Sequence, residues 1–293
     1  MSAHDISVVL ISALLHALWS VAIKGSRDPL AFNVLQTLLP LGVGLALLWQ
    51  VGPSTLPDSL WWVLAATGLA HSLYLYWMSR AYQVADLSLV YPIARSTPAF
   101  LPLVAIPLLG ERISLLGGAG IAVVVAGMWI VQAGEGLRWR GLLERGTVFA
   151  LLTLATTVAY GVLDKAAMAQ LEAADWACLV PRAVVYFFLL EIACALVFVP
   201  LAFRRLEAGA FRAALRGEWK MAATAAVVSF ASYSLILQAL RTAPASYVVA
   251  VRQTSVLFAV ALSVVWLGER PGRARVLGAA ATVVGVALIG IAK

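Results

Sequence analysis

Residues 87–112 read LSLVYPIARSTPAFLPLVAIPLLGER, and this stretch decides the fold. It is long enough to cross a bilayer, which takes about 20 apolar residues, yet it holds Arg95 near its middle and prolines at 92, 98, 102 and 107. Each proline withholds an N–H and crowds the carbonyl four residues back, so backbone acceptors are freed and the rod bends. A guanidinium at that depth costs about 2.5–3.5 kcal/mol on insertion scales unless it meets protein, water or an opposite charge. The stretch should therefore line something wet.

The pattern returns 158 residues later. Leu109-Gly110-Glu111-Arg112 falls on Leu267-Gly268-Glu269-Arg270, Arg95-Ser96-Thr97 on Gln253-Thr254-Ser255, Phe100 on Phe258, and Gly120 and Gly127 on Gly278 and Gly285. Such self-similarity is an internal duplication. The first helix obeys it at a shift of 141, which lays Ser12, His16, Trp19 and Lys24 on Thr153, Thr157, Tyr160 and Lys165.

The whole chain fits this reading. Of its 293 residues 62% are hydrophobic and 12% charged, against about 25% charged in soluble domains, and its mean hydropathy is +0.94. Apolar windows give ten spans, near 5–24, 31–51, 60–82, 87–109, 113–133, 147–167, 176–202, 219–241, 245–267 and 273–291. Residues 1–133 form one half, 134–146 connect, and 147–293 form the other. Five spans per half is odd, so the second half enters the membrane from the opposite side. The expected fold is an all-α integral membrane protein, ten transmembrane helices in a 5+5 inverted repeat around a central cavity, with the substrate near the midplane.

The net charge of +7 sits in short loops and reads as topology, not as a nucleic-acid patch. Loops on one side carry Lys24 and Arg27, Arg80, Arg138, Arg140 and Arg145, Arg204, Arg205, Arg212, Arg216 and Lys220, and Arg270, Arg273 and Arg275; the terminal side carries Arg112, Lys165, Arg182, Arg241 and Lys293, a count of 14 against 5. By the positive-inside rule both termini lie outside the cytoplasm. Cys178 and Cys194 fall in one predicted helix, about 24 Å apart at 1.5 Å per residue, so they cannot bond, and no metal spacing occurs. The first helix lacks a basic leader and a cleavage site, which marks a retained span rather than a signal peptide.

A cavity should draw polar side chains to one face of the helices around it. Span one offers Ser12, His16 and Trp19 at i, i+4 and i+7, and its mate Thr153, Thr157 and Tyr160. Span three offers His71, Tyr74 and Met78, with Ser229, Ser232 and Tyr233 in the mate; span four offers Ser88, Tyr91 and Arg95, answered by Ser246, Arg252 and Gln253. Spans two and seven add Asn33, Gln36, Arg182, Tyr186 and Glu191. Each has a bland alternative. The arginines either bind an anion or bond freed carbonyls or Glu191; Glu191 is either a proton carrier or an arginine's counter-ion; His16 and His71 either titrate or sit neutral on a carbonyl. Spans five and ten carry Gly117, Gly120, Gly127, Gly278, Gly285 and Gly290, a packing or homodimer surface.

HALWSVAIK in span one, LGER closing spans four and nine, the ten spans and the duplication together resemble the drug/metabolite transporter superfamily, specifically its proteins with two EamA repeats. YPIARSTPAF is similar to the fourth span of one subgroup. The resemblance implies a basket of helices worked by alternating access, with spans five and ten peripheral, and substrates ranging from exported amino acids to imported small solutes. It carries over Trp19 and Arg95 as site positions and Glu111 as structural. Many members keep both termini cytoplasmic, the reverse of the charge count here. The small multidrug members depend on a glutamate in span one, which this chain lacks, so efflux of lipophilic cations is disfavoured.

The expectation is a secondary transporter of the inner membrane that exports a small polar, amino-acid-like or otherwise anion-bearing metabolite. Arg95 and Arg252 neutralise its anion, Trp19, His71, Tyr74, Tyr160 and Tyr233 shape the pocket, and Glu191 or His16 carries a coupling proton. Uptake of a phosphonate or quaternary amine is the alternative. No cofactor or metal is implied, and no nucleotide-binding loop, G-x-S-x-G or H-E-x-x-H occurs, which argues against ATP drive and an intramembrane enzyme. A scaffold would need no polar stripe.

Overall fold

Ser2 and Asp5 start the first helix with a reciprocal box, the Asp5 N–H donating to Ser2 Oγ at 3.0 Å and the Ser2 N–H to Asp5 Oδ2 at 3.1 Å. That pairing satisfies two of the donors a helix start leaves open. The computed structural model describes residues 1–84, 93–133, 145–176, 178–258, 261 and 272–292, and its regular elements among these are all helical. They are α1 (Ala3–Lys24), α2 (Pro29–Leu38), α3 (Leu41–Val51), α4 (Asp58–Val84), α5 (Thr97–Leu109), α6 (Leu115–Ala133), α7 (Arg145–Ala173), α8 (Arg182–Phe203), α9 (Ala210–Gly217), α10 (Trp219–Thr242), α11 (Ala245–Arg252) and α12 (Arg273–Ile291), with a short 3₁₀ turn at Pro53–Thr55.

Six stretches are long and apolar enough to cross a bilayer: Ala3–Ser20, Pro29–Val51, Gly146–Ala173, Arg182–Phe203, Trp219–Thr242 and Arg273–Ile291. Shorter apolar helices occupy Thr97–Leu109 and Leu115–Val131. At 1.5 Å per residue α4 has the length as well, but Thr67, His71, Ser72 and Ser79 dilute its hydropathy. Exposed Trp49, Trp62 and Trp219 suit a membrane–water interface.

Three boundaries differ from the sequence reading. The second span is two helices, because Pro40 cannot continue α2 and starts α3 instead. The seventh begins only after Pro181, so Cys178 lies in the preceding turn, outside the helix that holds Cys194. In the quoted stretch Pro102 and Pro107 sit inside a continuous α5, and the chain breaks one turn earlier, at Arg95 and Ser96. Gly110 then ends α5 with φ +65°, a left-handed cap that glycine adopts without a Cβ clash.

The helices pack across the halves. Antiparallel α1 and α10 are joined along their length by Asp5 to Thr242 at 2.9 Å, Ser12 Oγ to the Ser232 carbonyl at 2.7 Å, and Arg27 N–H to Glu218 at 2.9 Å. Likewise α4 meets α7 through Ser59 and Gln170 at 3.0 Å, Thr67 and Asp164 at 2.7 Å, and Arg80 over the Phe149 ring. By the duplication α1 is the mate of α7 and α4 of α10, so the first helix of each half lies on the third helix of the other. These contacts also gather Arg27, Arg80 and the α9 arginines at one end of the bundle, and the N-terminus, Lys165 and Arg241 at the other.

The glycine helices repeat the logic more sharply. Gly120 on α6 abuts Gly285 on α12, and Gly127 abuts Gly278; a Cβ added at Gly120 or Gly127 would stand 2.8 or 2.7 Å from the opposing glycine carbonyl. Since a shift of 158 carries 120 to 278 and 127 to 285, i meets the mate of j while j meets the mate of i, the signature of a twofold contact. Of the six glycines expected to serve packing or dimerisation, these four are spent on each other within the chain, while Gly117 meets Tyr247 and Gly290 meets Ile6.

The LGER residue Glu111 has a specific task. Its carboxylate accepts from the Ala245 N–H, the Ser246 N–H at 3.3 Å and Ser246 Oγ at 2.5 Å, capping α11 of the other half. On the opposite flank of the same junction Lys165 Nζ donates to the Leu240 and Ala243 carbonyls at 2.6 and 3.0 Å, closing α10. Charges of these signs suit these helix ends. Gly120→Ala and Gly285→Ala should each lower the melting temperature of the purified protein by an overpacking cost of about 1–3 kcal/mol. Gly118→Ala, whose added carbon would meet only Ile113 at 3.9 Å, should melt with the wild type.

Candidate functional site

Two helices are interrupted at positions the duplication makes equivalent. In the first half the chain turns at Arg95, with 3₁₀-type bonds from Ser96 N to Ile93 O at 3.1 Å and Ala99 N to Ser96 O at 2.9 Å, before α5 resumes with Pro98 in its first turn. Pro98 has no N–H for the carbonyl of Ala94 four residues back and its ring crowds that oxygen, which accounts for the stop. In the second half α11 ends at Arg252, and Thr254 N reaches Val251 O at 3.0 Å while Val256 N reaches Gln253 O at 3.0 Å. No proline acts here; Thr254 Oγ1 bonds the Val251 carbonyl at 2.8 Å and competes with the helix for it. The breaks face each other, Arg95 Nη1 donating to Ser255 Oγ at 3.3 Å.

His16 lies between the arginines of both breaks. Arg95 Nη2 stands 2.9 Å from its Nε2 and Arg252 Nη2 3.3 Å from its Nδ1. Guanidinium groups only donate, and a neutral imidazole accepts at one nitrogen alone. One of the two contacts is therefore always unfulfilled. Arg252 Nε is also buried without a hydrogen-bond partner, and its guanidinium lies 5.3 Å over the Tyr233 ring. Trp19 stacks on His16 at 5.1 Å and donates to Gln36 at 3.0 Å. Such a donor-rich corner suits an anion.

Beyond Tyr233 stands a carboxylate. Asp164 on α7 is fully buried; its Oδ1 accepts from Thr67 Oγ1 and Tyr186 OH, each at 2.7 Å, and its Oδ2 from the Tyr233 hydroxyl and from His71 Nε2 at 3.1 Å. With every partner donating, the arrangement fits the ionised acid. His71 stacks on Tyr160 with 4.0 Å between centroids, and Tyr74 meets Tyr160 edge-on at 5.5 Å.

These groups surround an internal cavity of about 70 Å³ whose wall includes His16, Trp19, Gln36, His71, Tyr74, Tyr160, Glu191, Ser229, Tyr233 and Arg252. Arg95 reaches it through His16. A larger cleft of about 490 Å³ opens at the end of the bundle beside Met1 and Pro244, but its carboxylate, Asp5, is taken up by Ser2 and Thr242.

Several candidates lie elsewhere. Asn33 donates to Ser79, Arg182 to the Leu171 and Ala174 carbonyls, and Met78 packs in an apolar cluster, whereas Tyr186 joins the site through Asp164. Ser88 and Tyr91 lie outside the described residues. Glu191 forms no ion pair among the described residues, and Arg95 and Arg252 each have a nitrogen against His16. Asp164 escaped the sequence reading because the 141 shift sets it opposite Ile23, which says nothing polar. The signal was present: Thr157, Tyr160 and Asp164 recur at i, i+3 and i+7 on one helix face, and an acid inside a span is functional by default.

Residues 5–132 and 144–291 each match the profile of the EamA-like transporter family. The chain belongs to that family. No curated protein matches it. A solved structure described as "Crystal structure of protein" covers 99% of this chain and 99% of its own, with a TM-score of 0.76 and 19% identity; at that identity the likeness is one of fold. This EamA-like chain is thus a multi-pass membrane protein of a transporter family, with a polar cavity walled by α1, α2, α4, α7, α8 and α10 and by Arg252 beside one of the two breaks.

Asp164→Ala removes the acceptor of three hydroxyls and an imidazole. It should cost about 3–5 kcal/mol, as breaking a buried charged network does, read as a large drop in melting temperature in detergent. Glu191→Gln, which breaks no bond among the described residues, should melt near the wild type.

Proposed function

We propose that this protein is a secondary transporter of the inner membrane, ten transmembrane helices in a 5+5 inverted repeat with both termini outside the cytoplasm, which exports a small amino-acid-like solute by alternating access. The observation that carries the reading is the Arg95, His16 and Arg252 corner, in which two arginines compete for one imidazole and a buried Nε has no acceptor. A substrate carboxylate supplies the acceptor that Arg252 Nε lacks. Glu191 in the same wall is a carboxyl group without an ion-pair partner among the described residues and complements a substrate ammonium, while Trp19, Tyr74, Tyr160 and Tyr233 present ring faces to what lies between. A zwitterion answers all three.

The cavity is near 70 Å³, and motion of the halves about their reciprocal contacts is the natural way to open it to one side and then the other. The backbone breaks beside Arg95 and Arg252 follow the pattern of transporter sites built from discontinuous helices.

A thermal-shift screen against amino acids, phosphonates and quaternary amines tests the reading. Zwitterionic or anionic ligands should stabilise the wild type, and Arg95→Ala and Arg252→Ala should each weaken that binding by about 10- to 100-fold, the worth of a charge-assisted bond. Equal stabilisation of wild type and both variants would remove the arginines as anchors, and stabilisation by quaternary amines alone would favour the cation-binding alternative. Efflux of a stabilising ligand from loaded proteoliposomes, oriented by a terminal tag, reads the direction.

A further inference from the structure

We propose that His71, seated on Asp164, is a proton-binding site whose occupancy is linked to that of the substrate; this deepens the transport reading above and rests on it, proton and substrate leaving together down the substrate's own gradient. The argument begins with the hydrogens. Asp164 can only accept, so the Tyr233 hydroxyl spends its proton on Oδ2 and is left with lone pairs toward His71 Nε2, 3.3 Å away. Nε2 faces two acceptors, Asp164 Oδ2 at 3.1 Å and Tyr233 OH, and must carry a hydrogen. The lone pair of the neutral ring is then on Nδ1, which has no hydrogen-bond partner among the described residues. The imidazole is 14% exposed and forms part of the cavity wall. A proton from cavity water bonds to that lone pair; no other bond is made or broken, and the imidazolium is held by the carboxylate already bonded to its far side.

The surrounding charges set the sign of the linkage. Facing His71 and Asp164 are Tyr74 on α4, Tyr160 on α7, Tyr186 and Glu191 on α8, Tyr233 on α10 and Arg252 on α11, with His16 on α1 and Arg95 beyond. Lys165, also on α7, is committed to carbonyls at the end of the bundle, and α2 and α5 carry no titratable side chain. Asp164, with donors at both oxygens, offsets one of the two arginines while both imidazoles are neutral. Protonated His71 adds positive charge to the cavity, so a substrate carboxylate and the proton each favour the other's binding, and by linkage the preference is mutual. Glu191 and His16, the carriers expected from sequence, lack this arrangement: the first has no group to hold its proton in place, and the second meets a guanidinium at each nitrogen.

The chain has three histidines, His4, His16 and His71, so nitrogen NMR of the full protein in nanodiscs, assigned by elimination with His4→Gln and His16→Gln, reads His71 without altering it. Nε2 should stay protonated throughout while Nδ1 gains its proton as the pH is lowered. Glycine, used as the zwitterionic probe in thermal shift, should bind about tenfold tighter at pH 6 than at pH 8, and His71→Gln should level the two. An unchanging Nδ1 signal, a ring protonated on Nδ1 instead, or a pH dependence that survives His71→Gln overturns the proposal. Failure of glycine and every other zwitterion to stabilise the wild type at either pH counts against the substrate reading, while the NMR titration still judges the proton site separately.

Discussion

A helix that stops inside hydrocarbon leaves backbone groups that only protein or trapped water can satisfy, and this chain contains two such stops at equivalent places. They cannot lie apart. Facing each other, they share partners, Arg95 with Ser255 and both arginines with His16, and the polar groups that gather there create the cavity. Around this constraint the first helix of each half lies on the third helix of the other, which carries His16 and Tyr233 to one end of the pocket and His71 and Asp164 to the other. Asp164 is affordable in such a place because four donors surround it.

The two ends are not isolated. Arg252 touches His16 on one side and the Tyr233 ring on the other, and the Tyr233 hydroxyl reaches Asp164. A charge arriving at the arginines is therefore felt, through one aromatic ring, by the carboxylate that holds His71. This continuity is physical contact, not mere proximity, and it joins substrate recognition to proton binding in the proposed mechanism.

Much of this was legible in the sequence because two signals agreed. Hydropathy marked the spans and the duplication marked their mates, Gly120 with Gly278, Gly127 with Gly285 and Arg95 with Gln253; the contacts in space are crossed, Gly120 on Gly285 and Arg95 on Ser255. Where only one spoke, the reading failed. Pro40 breaks the second span inside an unbroken apolar run, and Asp164 has an isoleucine as its mate. Glu111 was recognised as structural, but its partners stand 134 and 135 positions away across the halves, beyond the reach of any local pattern. The ring contacts among Tyr74, Tyr160 and His71 likewise follow from how the helices rotate, which spacing alone leaves open.

The reciprocal glycine seam between α6 and α12 also constrains descent. In a single ancestral half, one bulky substitution would have been felt at two contacts at once. After duplication the copies could diverge, yet a side chain gained at 120 must still be answered by space at 285, and one at 127 by space at 278. Each pair should therefore drift in step, leaving the seam as a fossil of the original dimer long after the rest of the two halves have ceased to look alike.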